Sequence, residues 1–307
     1  MIIQYAWRMV TRNLRRTGTY LFGLALAVGL LSGILFFVDA TGRAMTATAL
    51  APVKLDIVAH AVKPDFEPAT AVAAVAAQRG VLGVEPVTAA DFSSAVKAGG
   101  TQPSPVGRMF ALQPSYFNTF DVLQISSGSF APGSVMVSEA MAIVQKLQVG
   151  DKLQLTFDGI AQPITLPVSG IINMDNADPL FALANDAENA IVADVVVVDA
   201  AWFADNLAAP LAVRAANLAA APPPGTVVLD PQLHVKIDRT LLPADPTLAA
   251  QQTDSLRRAV ERQFPGQLKA VENLSATFKT AKADILSAKI LFIFLGLPGV
   301  ALAAYLA

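Results

Sequence analysis

Between Tyr20 and Val38 the chain reads YLFGLALAVGLLSGILFFV, and no charged residue falls from Thr17 to Val38. A helix of roughly 20 residues rises about 30 Å, the thickness of a bilayer's hydrocarbon core. A soluble helix of this length carries a polar face, and this stretch has none. It predicts a transmembrane helix, and it constrains the placement of every other segment.

The residues before it set its direction. Residues 1–16 hold Arg8, Arg12, Arg15 and Arg16 and no acid. On a helical wheel Ile2, Ile3, Ala6, Trp7, Met9, Val10 and Leu14 share one side, opposite Gln4, Arg8, Thr11, Arg12 and Arg15. Such an amphipathic helix suits a membrane interface, its arginines toward anionic headgroups. Arginines beside a first span also predict a cytoplasmic N-terminus, which puts Asp39 on the outer side. A signal peptide shares the basic start, but its apolar region is shorter, about 7–15 residues. Small residues follow (Ala40, Ala44, Ala47, Ala49, Ala51), so a cleavage site has material to use; the length of the apolar run favours an uncleaved anchor.

Charged residues make up 15% of the 307-residue chain and hydrophobic ones 54%, below and above the usual soluble balance. Net charge is −2, and the only concentrated basic region is the N-terminal helix, so no nucleic-acid partner is implied. The absence of cysteine excludes thiolate catalysis, disulfides and cysteine-ligated metals. About 240 residues outside the membrane are ample for a core that needs no disulfide.

After the span, small polar residues continue the helix until Pro52 stops it. Val53–His60 alternates as a strand, Ala71–Gln78 is rich in helix formers and ends at Gly80, and Val81–Thr88 is the next strand. Residues 99–108 form a loop. Tyr116, Phe117 and Phe120 then cluster among turn residues and read as core packing. From Ser134 to Met174 the pattern is strand (Ser134–Val137), helix (Glu139–Lys146), turn (Val149-Gly150-Asp151), strand (Lys152–Phe157), Asp-Gly hairpin, strand (Pro163–Ile172). Ala190–Asp199 predicts a buried strand, and AAWFADNLA a helix with Trp202 in the core. Ala219–Gly225 (AAAPPPG) reads as a stiff hinge, His234–Arg239 as a last strand and Pro246–Phe264 as a helix. From Asn273 a helical pattern runs without a breaker into Ile290–Ala307, a second span that Pro298-Gly299 would kink. This span stops at Ala307 with no flanking charge, which implies a chain that continues. Lys279, Lys282 and Lys289 sit on its outer side, against the positive-inside tendency; the first span usually dominates.

A strand ending in Ser-Glu, a short helix, Val-Gly-Asp, an alternating strand, a turn and a strand ending in Gly-Ile resembles the extracytoplasmic core domain of the FtsX/MacB-type ABC-transporter permeases. The opening, WRMVTRNLRRTGTYLFGLALAVGLL, and the end, ILFIFLGLPGVALAAYLA, resemble that family's first span and the start of its second. The resemblance implies further spans beyond Ala307, a separate ATPase that binds the ATP, and a dimer of permease subunits in the bacterial plasma membrane. It also implies that ATP-driven movement at the cytoplasmic face shifts the helices and, through them, the outer domain.

No catalytic constellation emerges. His60 and His234 lie far apart within strand-like segments and read as surface or edge residues, too few for a metal. Asp175, Asp178, Asp186, Glu188 and Asp194 lack the spacing and turn glycine of a calcium loop and read as solvated. Ser138-Glu139 and Asp238-Arg239 form no nucleophile arrangement, and no GxxxxGK[ST] loop is present. Gly29 and Gly33 have the spacing of small-residue helix packing.

The expected plan is a membrane protein: a cytoplasmic amphipathic helix (1–17), a transmembrane helix (18–40), an extracytoplasmic α+β domain (41–272), and a helical stalk with a second transmembrane helix (273–307). Expected neighbours are membrane lipids and the ATPase, with no cofactor or metal in this chain and no enzymatic activity of its own. A two-span sensor with an outer ligand-binding domain shares this topology and is the alternative.

Overall fold

The computed structural model describes residues 14–63, 65–181, 194–218 and 228–306. They fall into two compact units. The first holds two long helices: α1, Leu14–Leu50, and a last helix over Ser275–Leu306. On α1 the buried positions Gly42, Thr46 and Leu50 recur every fourth residue, the repeat of one helix face. A Cβ on Gly42 would lie 3.7 Å from Ile285 of the last helix, so a small residue marks their close approach. Phe278, Ala281 and Ile285 supply the buried stripe of that helix. Farther along α1, a Cβ on Gly29 or Gly33 would meet nothing within 4 Å among the described residues. Among the described residues no helix is long and apolar enough to cross a membrane. Many side chains of Tyr20–Val38 and Ile290–Ala307 lie outside the described residues, as do Arg8 and Arg12 entirely and the side chains of Arg15 and Arg16.

The second unit is built on an eleven-stranded mixed sheet. Its strands are β1 (Ile57–Ala61), β2 (Val81–Phe92), β3 (Ser94–Lys97), β4 (Gly107–Leu112), β5 (Gln124–Gly128), β6 (Val135–Ser138), β7 (Lys152–Thr156), β8 (Ile164–Asn173), β9 (Val195–Asp199), β10 (Asp230–Ile237) and β11 (Leu268–Glu272). The spatial order is 11-1-10-2-4-9-6-8-7-3, with β5 paired to β8. Only β4–β9 and β6–β8 are parallel among these pairings.

The middle strands are buried on both faces. Met109, Ala111, Val196 and Val198 turn to one side, Phe110, Leu112, Val195 and Val197 to the other, as the two-residue repeat of a strand requires. The first side is covered by α4 (Glu139–Gln145) through Met141 and Ala142, and by α5 (Ala200–Phe203) and α6 (Ala209–Asn217) with the π-turn between them, through Phe203, Leu207 and Leu211. Trp202 is partly buried against the same cluster. The second side is covered by α3 (Tyr116–Thr119) with Tyr116, and beyond it Phe120, Leu123 and Leu180. A short α2 (Val72–Ala76) precedes β2, and α7 (Pro246–Gln263) precedes β11. The last helix, Ser275–Leu306, is α8.

The Ser134–Met174 pattern folds as its sequence predicts. Ser138 caps α4 by accepting from the Met141 amide at 3.3 Å, and Lys146 ends it in the left-handed conformation at φ 53°. Asp151 in the Val-Gly-Asp turn accepts from the Gln148 amide (2.8 Å) and from Lys97 of β3 (2.6 Å), which hold its carboxyl below the usual range, the lysine bond most. The edge strand β11 is shielded by α7. Glu261 accepts from the Ala270 amide at 3.0 Å and Arg257 donates to its carbonyl at 3.3 Å, occupying backbone groups that an exposed edge would leave open. The AAAPPPG stretch lies outside the described residues.

Candidate functional site

Strand β10 carries Asp230, Gln232 and His234 at every second position, so all three project from one face. In register, His234 lies opposite Val58 and Glu85, and Gln232 opposite His60 and Val87. The result is a polar row across β1, β10 and β2, roofed by Tyr116 of α3. Tyr116 Oη and His234 Nδ1 are 2.9 Å apart, His234 Nε2 and Gln232 Oε1 2.9 Å, Gln232 Nε2 and Asp230 Oδ2 2.7 Å, and His60 Nδ1 and Asp230 Oδ2 2.8 Å.

The donors and acceptors order this chain without ambiguity. A carboxylate only accepts, so the Gln232 amide nitrogen and the His60 Nδ1–H both point at Asp230. The Gln232 oxygen then faces His234 and accepts from Nε2–H. His234 Nδ1 is left as an acceptor for the Tyr116 hydroxyl. Both histidines are buried, His60 at 3% exposure and His234 at 0%, which corrects the surface or edge placement expected of them. The reason is the stripe itself: both nitrogens of His234 and Nδ1 of His60 find hydrogen-bond partners among Tyr116, Gln232 and Asp230.

Burial disfavours the charged forms. It pushes the His234 pKa down to about 3, with His60 adding like-charge repulsion, and raises the Tyr116 phenol well above its usual range, with Glu85 adding to the effect. Neither group changes protonation near neutral pH, so the Tyr116–His234 bond keeps its donor and acceptor roles there. Glu85 is held from α3 and its flank: Ser115 donates to it at 2.9 Å and Thr119 at 2.8 Å. The Nε2 of His60 is buried and has no hydrogen-bond partner among the described residues.

A second polar pair crosses the same face. Asp91 of β2 and Arg108 of β4 are register partners, and Arg108 Nε donates to Asp91 at 2.8 Å with the guanidinium 2% exposed. The guanidinium carbon lies 6.0 Å from the centre of the Phe181 ring. Ser104 donates to the buried Asp194, so that acid is no solvated loop residue. Asp175 bonds Asn173, which also reaches Glu139, while Asp186 and Glu188 lie outside the described residues. Among the described residues no three His, Asp or Glu side chains converge as a metal site.

Read from the sequence, only His234 of this row falls in a strand, and Asp230 and Gln232 are missed; the signal that marks them is the polar alternation in DPQLHVKI. The Asp91–Arg108 pair had no such signal, because its partners are 17 residues apart and meet only through strand register.

Residues 17–227 match the MacB-like periplasmic core domain. The chain belongs to this family. The family is that of the periplasmic domains of ABC-transporter permeases, so the α+β unit is of the extracytoplasmic type. Among solved structures, the periplasmic region of MacB from Actinobacillus actinomycetemcomitans is similar at 11% identity and a TM-score of 0.44, covering 75% of this chain and 94% of that one. A permease-protein domain from Porphyromonas gingivalis is similar at 11% identity and a TM-score of 0.40, covering 72% and 90%. No match was found among curated proteins.

Proposed function

We propose that this chain is a permease subunit of an ABC transporter of the FtsX/MacB type. It couples ATP hydrolysis by a separate ATPase to movement of the extracytoplasmic α+β unit, in export, lipoprotein extraction or transmembrane signalling. The observation that carries the reading is the family match over residues 17–227, joined to an uncharged run that follows an arginine-only N-terminus.

In this reading Tyr20–Val38 and the apolar end of α8 span the plasma membrane, with the N-terminus in the cytoplasm. Arg8, Arg12, Arg15 and Arg16 lie at the ATPase or at the lipid headgroups. Gly29 and Gly33, which have room for a close neighbour, pack against a helix of a second permease subunit. The sheet, with its fixed polar row, moves as a body.

The test is to purify the full-length protein from its native membranes. A P-loop ATPase that co-purifies, and that dissociates on charge reversal of the four arginines, is the expected result. Association unchanged by the reversal removes the docking role. No ATPase, and a soluble kinase-type region on the cytoplasmic side, replaces the permease with the two-span sensor.

A further inference from the structure

Residues Pro243–Ala249 belong with α1 and α8 to the first unit. Within it the two long helices run antiparallel: buried positions extend forward from Gly42 to Leu50 on α1 and backward from Ile285 to Phe278 on α8, and Gly42 faces Ile285. Asp39 lies three residues before Gly42, about 4.5 Å along the axis, and Lys289 four residues beyond Ile285, about 6 Å. They are the last charges before the two uncharged runs, Thr17–Val38 and Ile290–Ala307, which therefore begin at one level.

The first turn of α7 belongs to the same unit and lies near that level. Asp245 caps it, accepting from the amides of Thr247 at 2.8 Å and Leu248 at 3.2 Å. These bonds, the Leu248 one most, hold the Asp245 carboxyl below its usual range, and the nearby Lys289 ammonium adds to the effect. Leu248 is 53% exposed. Among the described residues it is the one large apolar side chain exposed on α7; Gln251, Ser255, Arg258 and Arg262 make the rest of that helix's outer surface polar. Ile290, Leu291 and Phe294, which follow Lys289, are exposed too, so Leu248 extends an apolar surface that begins there.

We propose that this turn is a contact with the outer surface of the bilayer, in which Leu248 enters the headgroup layer and Lys289 pairs with a lipid phosphate. The inference rests on the permease reading, which supplies the two spans. A leucine gains by leaving water wherever an apolar layer is within reach, and a lysine stem can lie along that layer with its ammonium at the phosphates. The polar surface beyond the first turn has no such gain and stays in water, so the contact is confined to Leu248. A lysine on the outer side, against the positive-inside tendency, then has a partner.

The chain has no cysteine, so Leu248→Cys, Ser255→Cys and Phe36→Cys each give one site for a nitroxide label. The test compares collisions of the label with oxygen, which concentrates in lipid, and with a water-soluble nickel chelate. It uses the full-length protein in vesicles of phosphatidylethanolamine and phosphatidylglycerol. Phe36, 77% exposed on α1, reports the span. The expected result is an oxygen-to-nickel ratio several-fold higher at 248 than at 255, highest at 36, and lowered at 248 by Lys289→Gln. Equal, low ratios at 248 and 255 with a high one at 36 overturn the contact and leave the permease reading standing. A ratio at 255 as high as at 248 overturns the confinement to the first turn. A ratio at 248 that Lys289→Gln does not move removes the lysine–phosphate pair. A low ratio at 36 removes the span and the contact together.

Discussion

The hydroxyl of Tyr116 donates to Nδ1 of His234 at 2.9 Å, and neither side chain is exposed. The bond joins α3 to β10 across 118 residues of sequence. Its ring contributes separately, stacked on Phe120 at 5.0 Å between centres. Tyr116→Phe keeps that stacking and leaves a buried imidazole nitrogen without its donor. The expected cost is about 1–3 kcal/mol, the desolvation of one unpaired acceptor. Unfolding followed by the fluorescence of Trp202, in a background where Trp7 is phenylalanine, measures it. Equal stability of the two proteins would mean that the bond contributes nothing net.

The same histidine gives a pH dependence. Burial lowers its pKa to about 3 in the folded chain, whereas the unfolded chain takes up the proton near 6.5. Between those values the unfolded state binds more protons, so stability rises with pH. The contribution is fully present above about pH 6.5 and is lost as pH falls toward about 3, at a slope of up to about 1.4 kcal/mol per unit. His234→Gln, which cannot titrate, is expected to flatten the slope between about pH 6.5 and about pH 4. A slope that is the same in both proteins would assign it to other groups.

Asp91 and Arg108 form the other buried pair. Removing one partner of such a pair leaves an uncompensated charge and costs about 3–5 kcal/mol. Asp91→Ala is therefore expected to be severely destabilising. The double change Asp91→Leu with Arg108→Met is expected to recover most of the loss, since a well-packed apolar pair removes the charge as well. Melting temperatures of Asp91→Leu, Arg108→Met and the double variant complete the cycle. A double variant no better than the worse single one would show that the pair also specifies the local packing.

How much of this was legible depended on where each residue's partners lie. The Ser134–Met174 segment could be read because its Ser-Glu cap, Val-Gly-Asp turn and Asp-Gly hairpin are local signals, and the helix that continues to Leu50 ends just before Pro52. Strand β4, GRMFAL, is buried on both faces and so has no alternation to detect; its aromatic and turn neighbours hid it further. Strand β11 is five residues long and is defined by pairing with β1 and by Glu261 and Arg257 of α7, not by its own pattern. The histidines were visible, but their burial was not. It depends on Asp230, Gln232 and Tyr116 arriving on one face, and register is a tertiary fact. The bond from the Asn273 amide to the Asp56 carbonyl was equally hidden, since the two residues are 217 apart in sequence.

Gly107 offers the sharpest steric test. It sits opposite Phe92 in the β2–β4 register, and the ring of Phe92 lies over it. A Cβ there would overlap the Phe92 ring and would come within 2.5 Å of the Asp194 carbonyl, closer than side-chain carbons approach any atom. Both obstacles are fixed: Phe92 is wholly buried among core residues, and the Asp194 carbonyl accepts from the Arg108 amide at 2.9 Å. Overpacking of this kind costs about 1–3 kcal/mol, and the presence of backbone among the obstacles places Gly107→Ala toward the upper end. Phe92→Leu in the same chain shortens the ring but leaves the carbonyl in place, so the double variant is expected to recover only part of the loss. Thermal unfolding of Gly107→Ala, Phe92→Leu and the pair separates the two contributions. Full recovery would make the ring the only obstacle, and no recovery would make it the carbonyl, and with it the β4–β9 register that holds Asp194 in place.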